Sequence, residues 1–303
     1  MALDAHILIV GAGRLGTRAA ERMCTAGAKR ITLCDYDLVL AENLEEQPLY
    51  TSADIGTPKA QAAARHLNAT YPGTRAIGIP SMFSPELLTD DIMLIIDGTD
   101  NLGTRLMLND AARAKAVPLL IAAATKGRGM VFPVLPKRGA PCWQCISKGK
   151  VSADDCASGI DPVVADMVAQ EQVRLALDIL HDRPVEPELT LIDGARNARI
   201  AVHVNPACEA CRGHFEYLGA PFSLDYCASR ERMIARPNAP RVIDLMALRA
   251  DVGAAGIIKE YASALLVKLG GGSALVHAHG QIEFSGVESS AAQEFAKRVL
   301  RVR

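Results

Sequence analysis

Several features are missing from this sequence, and each absence narrows the class of protein. The chain has no excess of one charge, because 33 Lys and Arg residues oppose 34 Asp and Glu residues. It therefore offers no general attraction to nucleic acid or to an anionic membrane. No apolar run approaches the ~20 residues that span a bilayer, and the N-terminus lacks the basic region of a signal peptide. We expect a cytoplasmic protein without a nucleic-acid or membrane partner.

The sequence has enough hydrophobic residues to form a large core. The chain has 303 residues, half of them hydrophobic, which exceeds one typical domain. Apolar segments alternate with amphipathic ones, which predicts an α/β fold: a Rossmann-like, mostly parallel sheet with helices on both faces. Strands are predicted over 7–10, 30–34, 93–96 and 119–123, helices over 15–26, 59–68, 105–114 and 163–180, and an antiparallel pair over 189–193 and 199–204.

Composition changes after about Tyr217, where a Gly-Ala-Pro segment is typical of a linker. The sequence therefore predicts two domains, a nucleotide-binding domain over residues 1–217 and a small α+β domain over 218–303. Within the second, strands are expected over 222–226, 264–269, 274–277 and 281–284, and helices over 243–252 and 289–299.

A glycine-rich turn follows the first predicted strand, with the pattern G-x-G-x-x-G at Gly11, Gly13 and Gly16. Such a turn brings the backbone close to a phosphate at a helix N-terminus. Asp35, with Asp37 beside it, lies 22 residues after Gly13, the spacing expected of a carboxylate that holds ribose hydroxyls. The pattern indicates a nucleotide site, although it does not separate ATP from NAD, and a tight turn that binds nothing is the alternative.

Two Cys-x-x-Cys pairs are the second cluster, Cys142 with Cys145 and Cys208 with Cys211. Each pair can place two thiolates on one metal, and two such turns complete a tetrahedron. Four thiolates leave no open coordination position, so the pattern predicts a structural zinc site. Four unrelated cysteines, or two redox pairs, are the alternatives.

Taken in order, the motifs resemble those of the ThiF/MoeB/HesA family, relatives of the ubiquitin-activating enzymes. The resemblance covers residues 7 to about 212. It rests on the glycine turn, Asp35-Tyr36-Asp37, Glu42-Asn43-Leu44 with Gln47, Gly56-Thr57-Pro58-Lys59-Ala60, Asp97-Gly98-Thr99-Asp100-Asn101 with Arg105, and the two cysteine pairs.

The resemblance implies binding of ATP and Mg²⁺ and adenylation of the C-terminal glycine of a ubiquitin-like sulfur-carrier protein ending in Gly-Gly, in thiamine- or molybdopterin-type sulfur transfer. It also implies a homodimer. By resemblance, Lys59 and Asn43 contact the phosphates, Asp100 is associated with Mg²⁺ and the reacting groups, and Asp35 binds the ribose. Asn101 and Arg105 belong to the same binding motif. Taken singly, Lys59 reads as a solvated residue that opens a helix, and Asp100 and Asn101 as helix caps.

Cys156 lies in the predicted loop 151–160, where several family members place a cysteine. By resemblance it attacks the acyl-adenylate or forms a sulfur-transfer linkage, and a loop cysteine without a role is the alternative. Cys227 is a second candidate, for which a buried structural role is expected.

One position departs from the family. The arginine that the family uses to bind triphosphate is replaced by Glu46, a charge reversal beside the expected phosphates. Arg14 and Arg105 are candidate substitutes. The departure raises a second hypothesis, a catalytically impaired nucleotide-binding scaffold or regulatory homologue. A third hypothesis, an NAD-dependent oxidoreductase, lacks a constellation of residues for hydride transfer.

Overall fold

The computed structural model describes residues 3–147, 161–193, 196–219, 222–227, 232–237, 241–261 and 263–300. The chain divides into two compact units, with the change from the first to the second between Leu218 and Gly219. Among the described residues, no helix combines the length and the apolar character that crossing a membrane requires.

The first unit is built on an eight-stranded sheet. Its strands are β1 (Leu3–Val10), β2 (Ala28–Cys34), β3 (Arg75–Ile79), β4 (Ile92–Asp97), β5 (Leu119–Ala124), β6 (Arg128–Val134), β7 (Glu188–Asp193) and β8 (Arg196–Ala201). They lie in the order β3-β2-β1-β4-β5-β6-β7-β8. The first five strands along the chain pair in parallel, and β6, β7 and β8 extend the sheet antiparallel. This confirms the α/β prediction.

Helices cover both faces of this sheet. They are α1 (Arg14–Thr25), α2 (Asn43–Glu46), α3 (Lys59–Thr70), α4 (Leu102–Lys115), α5 (Trp143–Ser147), α6 (Pro162–Leu180) and α7 (Glu216–Gly219). Side chains of α1, α3 and α6 form one buried core with Ile7 and Ile9 of β1. Leu8 and Val10 of the same strand face the other core, which contains α4 and two of the four paired cysteines. This alternation follows from the two-residue period of a strand.

Two strands of the first unit escaped the sequence prediction. In β3, Ile77 is exposed and Gly78 sits against the backbone of Ala60, so the strand lacks a continuous apolar run. In β6, Gly129 and Pro133 interrupt the apolar pattern. Pro133 is tolerated because β7 pairs with β6 only as far as Val131, which leaves Pro133 with a single neighbouring strand.

The second unit is a six-stranded antiparallel sheet. Its strands are β9 (Phe222–Cys227), β10 (Arg232–Pro237), β11 (Ile257–Tyr261), β12 (Ala264–Leu269), β13 (Gly272–His277) and β14 (Ile282–Ser285), and its helices are α8 (Leu245–Val252) and α9 (Ser289–Val299). The strand order is β11-β12-β13-β14-β10-β9. Phe284 and Phe295 pack edge to face in its core, with ring centroids 6.1 Å apart. The sequence prediction had missed β10 and β11.

Candidate functional site

The carboxyl ends of β1, β2 and β4 meet at the point where the order of the parallel strands reverses. From β1 the chain runs to β2 and β3 on one side, and β4 and β5 lie on the other. In open α/β sheets this switch point opens a crevice beyond the strand ends, where ligands bind. The glycine turn, Asp35 and the segment after β4 all lie here.

Three glycines close the floor of this crevice by direct backbone contact. A Cβ on Gly16 would lie 1.8 Å from the carbonyl oxygen of Gly11, and a Cβ on Gly98 would lie 2.7 Å from Cα of Gly16. Gly11 itself has φ of 93°, which a side chain would disfavour. By contrast, a Cβ on Gly13 would meet nothing within 4 Å. The turn is therefore tightly packed beneath and open at Gly13, where a ligand can approach the backbone.

The N-terminus of α1 points its amides at this opening. Gly13 is the N-cap and supplies no side-chain hydrogen bond to the first turn, so those backbone donors are available to an anion. This is the arrangement that the glycine spacing predicts, and it suits a phosphate group.

Asp35 is held at the end of β2 by two backbone donors. Its Oδ2 accepts from the Ala12 amide at 2.6 Å, and its Oδ1 accepts from the Asp37 amide at 2.8 Å. Burial and the neighbouring charge of Asp37 together raise the pKa of Asp35 to about 6, although Lys59 and the two backbone donors oppose the change. The carboxylate is thus oriented beside the glycine turn.

Lys59 begins α3 and is buried. Its Nζ lies 3.1 Å from Oδ2 of Asp37, so its ammonium already has one carboxylate partner. Tyr50, which the sequence reading did not single out, donates from its hydroxyl to the Ala12 carbonyl at 2.6 Å and lies 3.3 Å from the carbonyl oxygen of Lys59. Tyr50 therefore links the glycine turn to the start of α3.

Asn43 and Glu46 lie on the single turn of α2. The side chain of Asn43 accepts from the Leu40 amide at 3.0 Å, whereas Glu46 is exposed. Gln47, next along the chain, is buried, and its Oε1 has no donor among the described residues. The reversed charge therefore lies at the end of α2.

The segment after β4 uses most of its polar groups internally. Asp97 is fully buried and accepts from Nε of Arg105 at 2.8 Å. Nη2 of Arg105 also donates to the carbonyls of Thr99 and Ala122, at 2.7 and 3.1 Å, and its guanidinium lies 5.9 Å from the ring centroid of Trp143. Arg105 thus has a structural set of partners, which the sequence motif did not reveal.

Asp100 and Asn101 follow directly and differ in their roles. Asn101 caps α4, because its side chain accepts from the Thr104 amide at 2.7 Å. Asp100 is exposed, and no hydrogen bond to its side chain occurs within the described ranges. Of the two, Asp100 is the one whose side chain is available to a ligand.

The four paired cysteines come together on the other face of the sheet. Their Sγ atoms all lie within 4.8 Å of one another. Three of the separations are 3.6 Å for Cys142–Cys208, 3.5 Å for Cys145–Cys211 and 3.5 Å for Cys142–Cys211. Zinc–sulfur bonds of about 2.3 Å place tetrahedral sulfurs about 3.8 Å apart, so the set fits a zinc ion. The cluster could hold a metal ion, as the sequence spacing predicted.

Helix α4 anchors the first cysteine turn. The Trp143 amide donates to Oδ1 of Asn109 at 2.8 Å, and Nε2 of Gln144 donates to Oδ1 of Asp110 at 2.7 Å. Oδ2 of Asp110 also accepts from the Tyr217 amide at 3.0 Å. Burial raises the pKa of Asp110 despite these donors. The buried Asn109-Asp110 pair therefore fixes both the cysteine turn and the chain beyond the second one.

Two cysteine candidates cannot be placed in this site. Cys156 lies outside the described residues, and Cys227 ends β9 in the second unit. Their proposed roles remain predictions from the sequence.

Known proteins resemble this chain in sequence. The model of the ThiF family matches residues 2–213. The sulfur carrier protein ThiS adenylyltransferase of Bacillus subtilis is 34% identical over 220 residues, which cover 69% of this chain and 65% of the relative. The molybdopterin-synthase adenylyltransferase of Salmonella typhimurium is 28% identical over 217 residues, which cover 69% of this chain and 87% of the relative.

A solved structure shares the fold. Escherichia coli MccB, crystallised with ATP, superposes with a TM-score of 0.60 at 16% identity, covering 69% of this chain and 68% of MccB. The matched part of this chain spans just under two thirds of the Bacillus subtilis relative.

Proposed function

The chain belongs to the ThiF family, and from this premise we propose that it is an ATP-dependent adenylyltransferase. Its substrate is the C-terminal glycine of a small ubiquitin-like sulfur-carrier protein ending in Gly-Gly, as in thiamine- or molybdopterin-type sulfur transfer. The observation that carries the proposal is the glycine turn, which is open only at Gly13 and lies beside Asp35. The names of the relatives support the reaction class, since they are adenylyltransferases of sulfur carriers or of molybdopterin synthase.

The reaction moves an adenylyl group to a carboxylate. A carboxylate oxygen of the carrier attacks the α-phosphorus of ATP, the bond from that phosphorus to the bridging oxygen breaks, and pyrophosphate leaves with the electron pair. Negative charge accumulates during this step, so cations must neutralise it. Lys59 supplies a buried ammonium beside the turn, and Asp35 supplies acceptors for the ribose hydroxyls.

Mg²⁺ fits the carboxylate that the segment after β4 leaves available. Mg²⁺ is bound by one or two carboxylates together with phosphate oxygens and water, and Asp100 is exposed without a hydrogen-bond partner among the described residues. We assign Asp100 to Mg²⁺ and Asn43 to the phosphates. When bound, the ion would neutralise charge on the phosphates.

The four cysteines would hold structural Zn²⁺. Four thiolates saturate the ion, so it takes no substrate and serves to hold the two cysteine turns together. We further propose that the protein acts as a cytoplasmic homodimer, which light scattering of the purified chain would test.

Exchange of labelled pyrophosphate into ATP tests the proposal directly. With Mg²⁺ and a panel of carrier proteins ending in Gly-Gly, at least one carrier should support exchange. Lys59→Ala and Asp100→Ala should each slow it about a hundredfold or more. Lys115→Ala is the matched control, because Lys115 is exposed at the end of α4 and pairs with Asp90. No exchange with any carrier, together with no ATP binding, would refute the proposal.

A second candidate function rests on Glu46. An exposed carboxylate on α2, beside Asn43, opposes binding of a triphosphate, and a nucleotide-binding scaffold without turnover would tolerate it. ATP binding without exchange, and no gain in exchange from Glu46→Arg, would favour the scaffold. Exchange by the unmodified chain would exclude it.

A further inference from the structure

The cationic side chains near the glycine turn differ in whether they already have partners within the protein. Lys59 lies 3.1 Å from Asp37. Nε of Arg105 donates to Asp97, and its Nη2 donates to two backbone carbonyls. Neither group is free to neutralise a polyphosphate without first giving up a partner. A cation that has no partner in the protein can meet phosphate charge without that cost.

Arg14 is such a cation. It is the first residue of α1, directly after the open Gly13, and only 8% of its surface is exposed. Its Nε is buried without a hydrogen-bond partner, and no ion pair reaches its guanidinium from the described part of the chain. Burying a donor of a charged group without an acceptor is unfavourable. The side chain is therefore arranged for an anion that arrives from outside the chain.

The contrast with Arg18 makes the point sharper. Arg18 lies on the same helix one turn later, is partly exposed, and pairs with Glu21 at 3.1 Å and with Asp166 at 3.2 Å. The two arginines share their chemistry and their helix, but the one beside the phosphate opening is more buried and lacks a carboxylate.

We propose that Arg14 binds the polyphosphate of the nucleotide and supplies the positive charge that Glu46 withholds. This inference rests on the proposed function, because it names a ligand within the same site. A guanidinium donates two parallel hydrogen bonds to phosphate oxygens, and the helix N-terminus adds backbone donors beside it. Arg14 therefore recognises the β- and γ-phosphates, whereas Asp35 recognises the ribose.

Calorimetry on the full chain tests the assignment with Mg-ATP, AMP and inorganic tripolyphosphate as ligands. Arg14→Gln should weaken Mg-ATP and tripolyphosphate about ten- to a hundredfold, as expected for loss of charged hydrogen bonds, and should leave AMP within about threefold. Arg14→Lys should fall between the two. Arg18→Gln is the matched control and should bind all three ligands like the unmodified chain.

The unfolding midpoint separates a ligand role from a structural one. Without nucleotide, Arg14→Gln should unfold at the same temperature as the unmodified chain or higher, because it removes a charged group whose buried Nε has no partner. A lower midpoint with equal loss of AMP and ATP affinity would overturn the inference, as would unchanged ATP affinity. If the unmodified chain binds tripolyphosphate through Arg14 but not ATP, adenylation fails and the anion site stands. If it binds neither, both proposals fail.

Discussion

Replacing Arg105 with methionine should destabilise the first unit by an amount that an unfolding experiment can measure. The substitution keeps the length of the side chain but removes the partner of Asp97, a carboxylate with no exposed surface. It also removes the donors to the carbonyls of Thr99 and Ala122. Breaking a buried ion pair on one side costs about 3–5 kcal/mol, because the remaining charge is uncompensated.

A loss of this size lowers the unfolding temperature by roughly 6–20 °C in a unit of this length. Urea unfolding followed by tryptophan fluorescence is the suitable assay, because the chain has a single tryptophan. That residue, Trp143, lies in the first unit with its ring 5.9 Å from the Arg105 guanidinium. The signal therefore reports on this unit without interference from the second.

A control variant and a double variant test whether the loss comes from the buried ion pair. Arg113→Met changes an arginine of the same helix that donates one hydrogen bond, 3.3 Å to the Leu135 carbonyl, and should cost about 1 kcal/mol. Asp97→Asn combined with Arg105→Met removes both charges and should recover part of the loss. If Arg105→Met costs less than about 1 kcal/mol while ATP affinity collapses, Arg105 is a phosphate ligand and our structural assignment is wrong.

Three other predictions concern the metal, acid stability and the ribose acid. Metal analysis should find one zinc per chain; Cys208→Ser should lose the zinc and unfold at lower temperature, whereas Cys24→Ala should keep it, and equal zinc in both variants would contradict the assignment. Burial alone would raise the pKa of Asp54, but hydrogen bonds from Thr51, His66 and Arg65 outweigh it and hold that pKa below its ordinary value of 3.8. Stability should therefore fall as the pH drops below about 4, and this fall should be smaller in Asp54→Asn but not in Asp90→Asn. Because the pKa of Asp35 is raised to about 6, affinity for adenosine should weaken as the pH falls through 6; an identical profile in Asp35→Asn would exclude Asp35 from ribose binding.

Much of the fold follows from local patterns. The buried parallel strands are nearly continuous apolar runs, and the amphipathic helices between them have the expected period, so their order and the family resemblance were predictable and are confirmed. The strands that escaped prediction depend on tertiary context. Pro133 is acceptable in β6 because β7 pairs only as far as Val131, and Gly129 leaves room for Val168 of α6, 2.2 Å from where a Cβ would lie. Neither fact is local to the segment.

The candidate site divides in the same way. The glycine turn and the cysteine pairs are short motifs whose spacing constrains their geometry, so their residues come together as predicted. The state of each charged side chain is a different matter. Arg105 is paired with Asp97, Lys59 is paired with Asp37, and Nε of Arg14 is buried without a partner. Each of these states depends on residues that are distant in the sequence. Sequence motifs identified the candidates, and the fold distinguishes those that are available.

The cysteine cluster also has a consequence for the unfolded chain. Cys145 and Cys208 are separated by 62 residues, and α6, β7 and β8 all lie between them. A metal that joins the two turns closes this long loop, and closing a loop of such length removes chain entropy worth about 4 kcal/mol from the unfolded state. Helix α6 packs against the core beneath the glycine turn. In the closed loop, this segment would have fewer conformations to sample before it reaches that position. Chains that refold with zinc bound should therefore recover the native first unit faster than chains that acquire zinc afterwards.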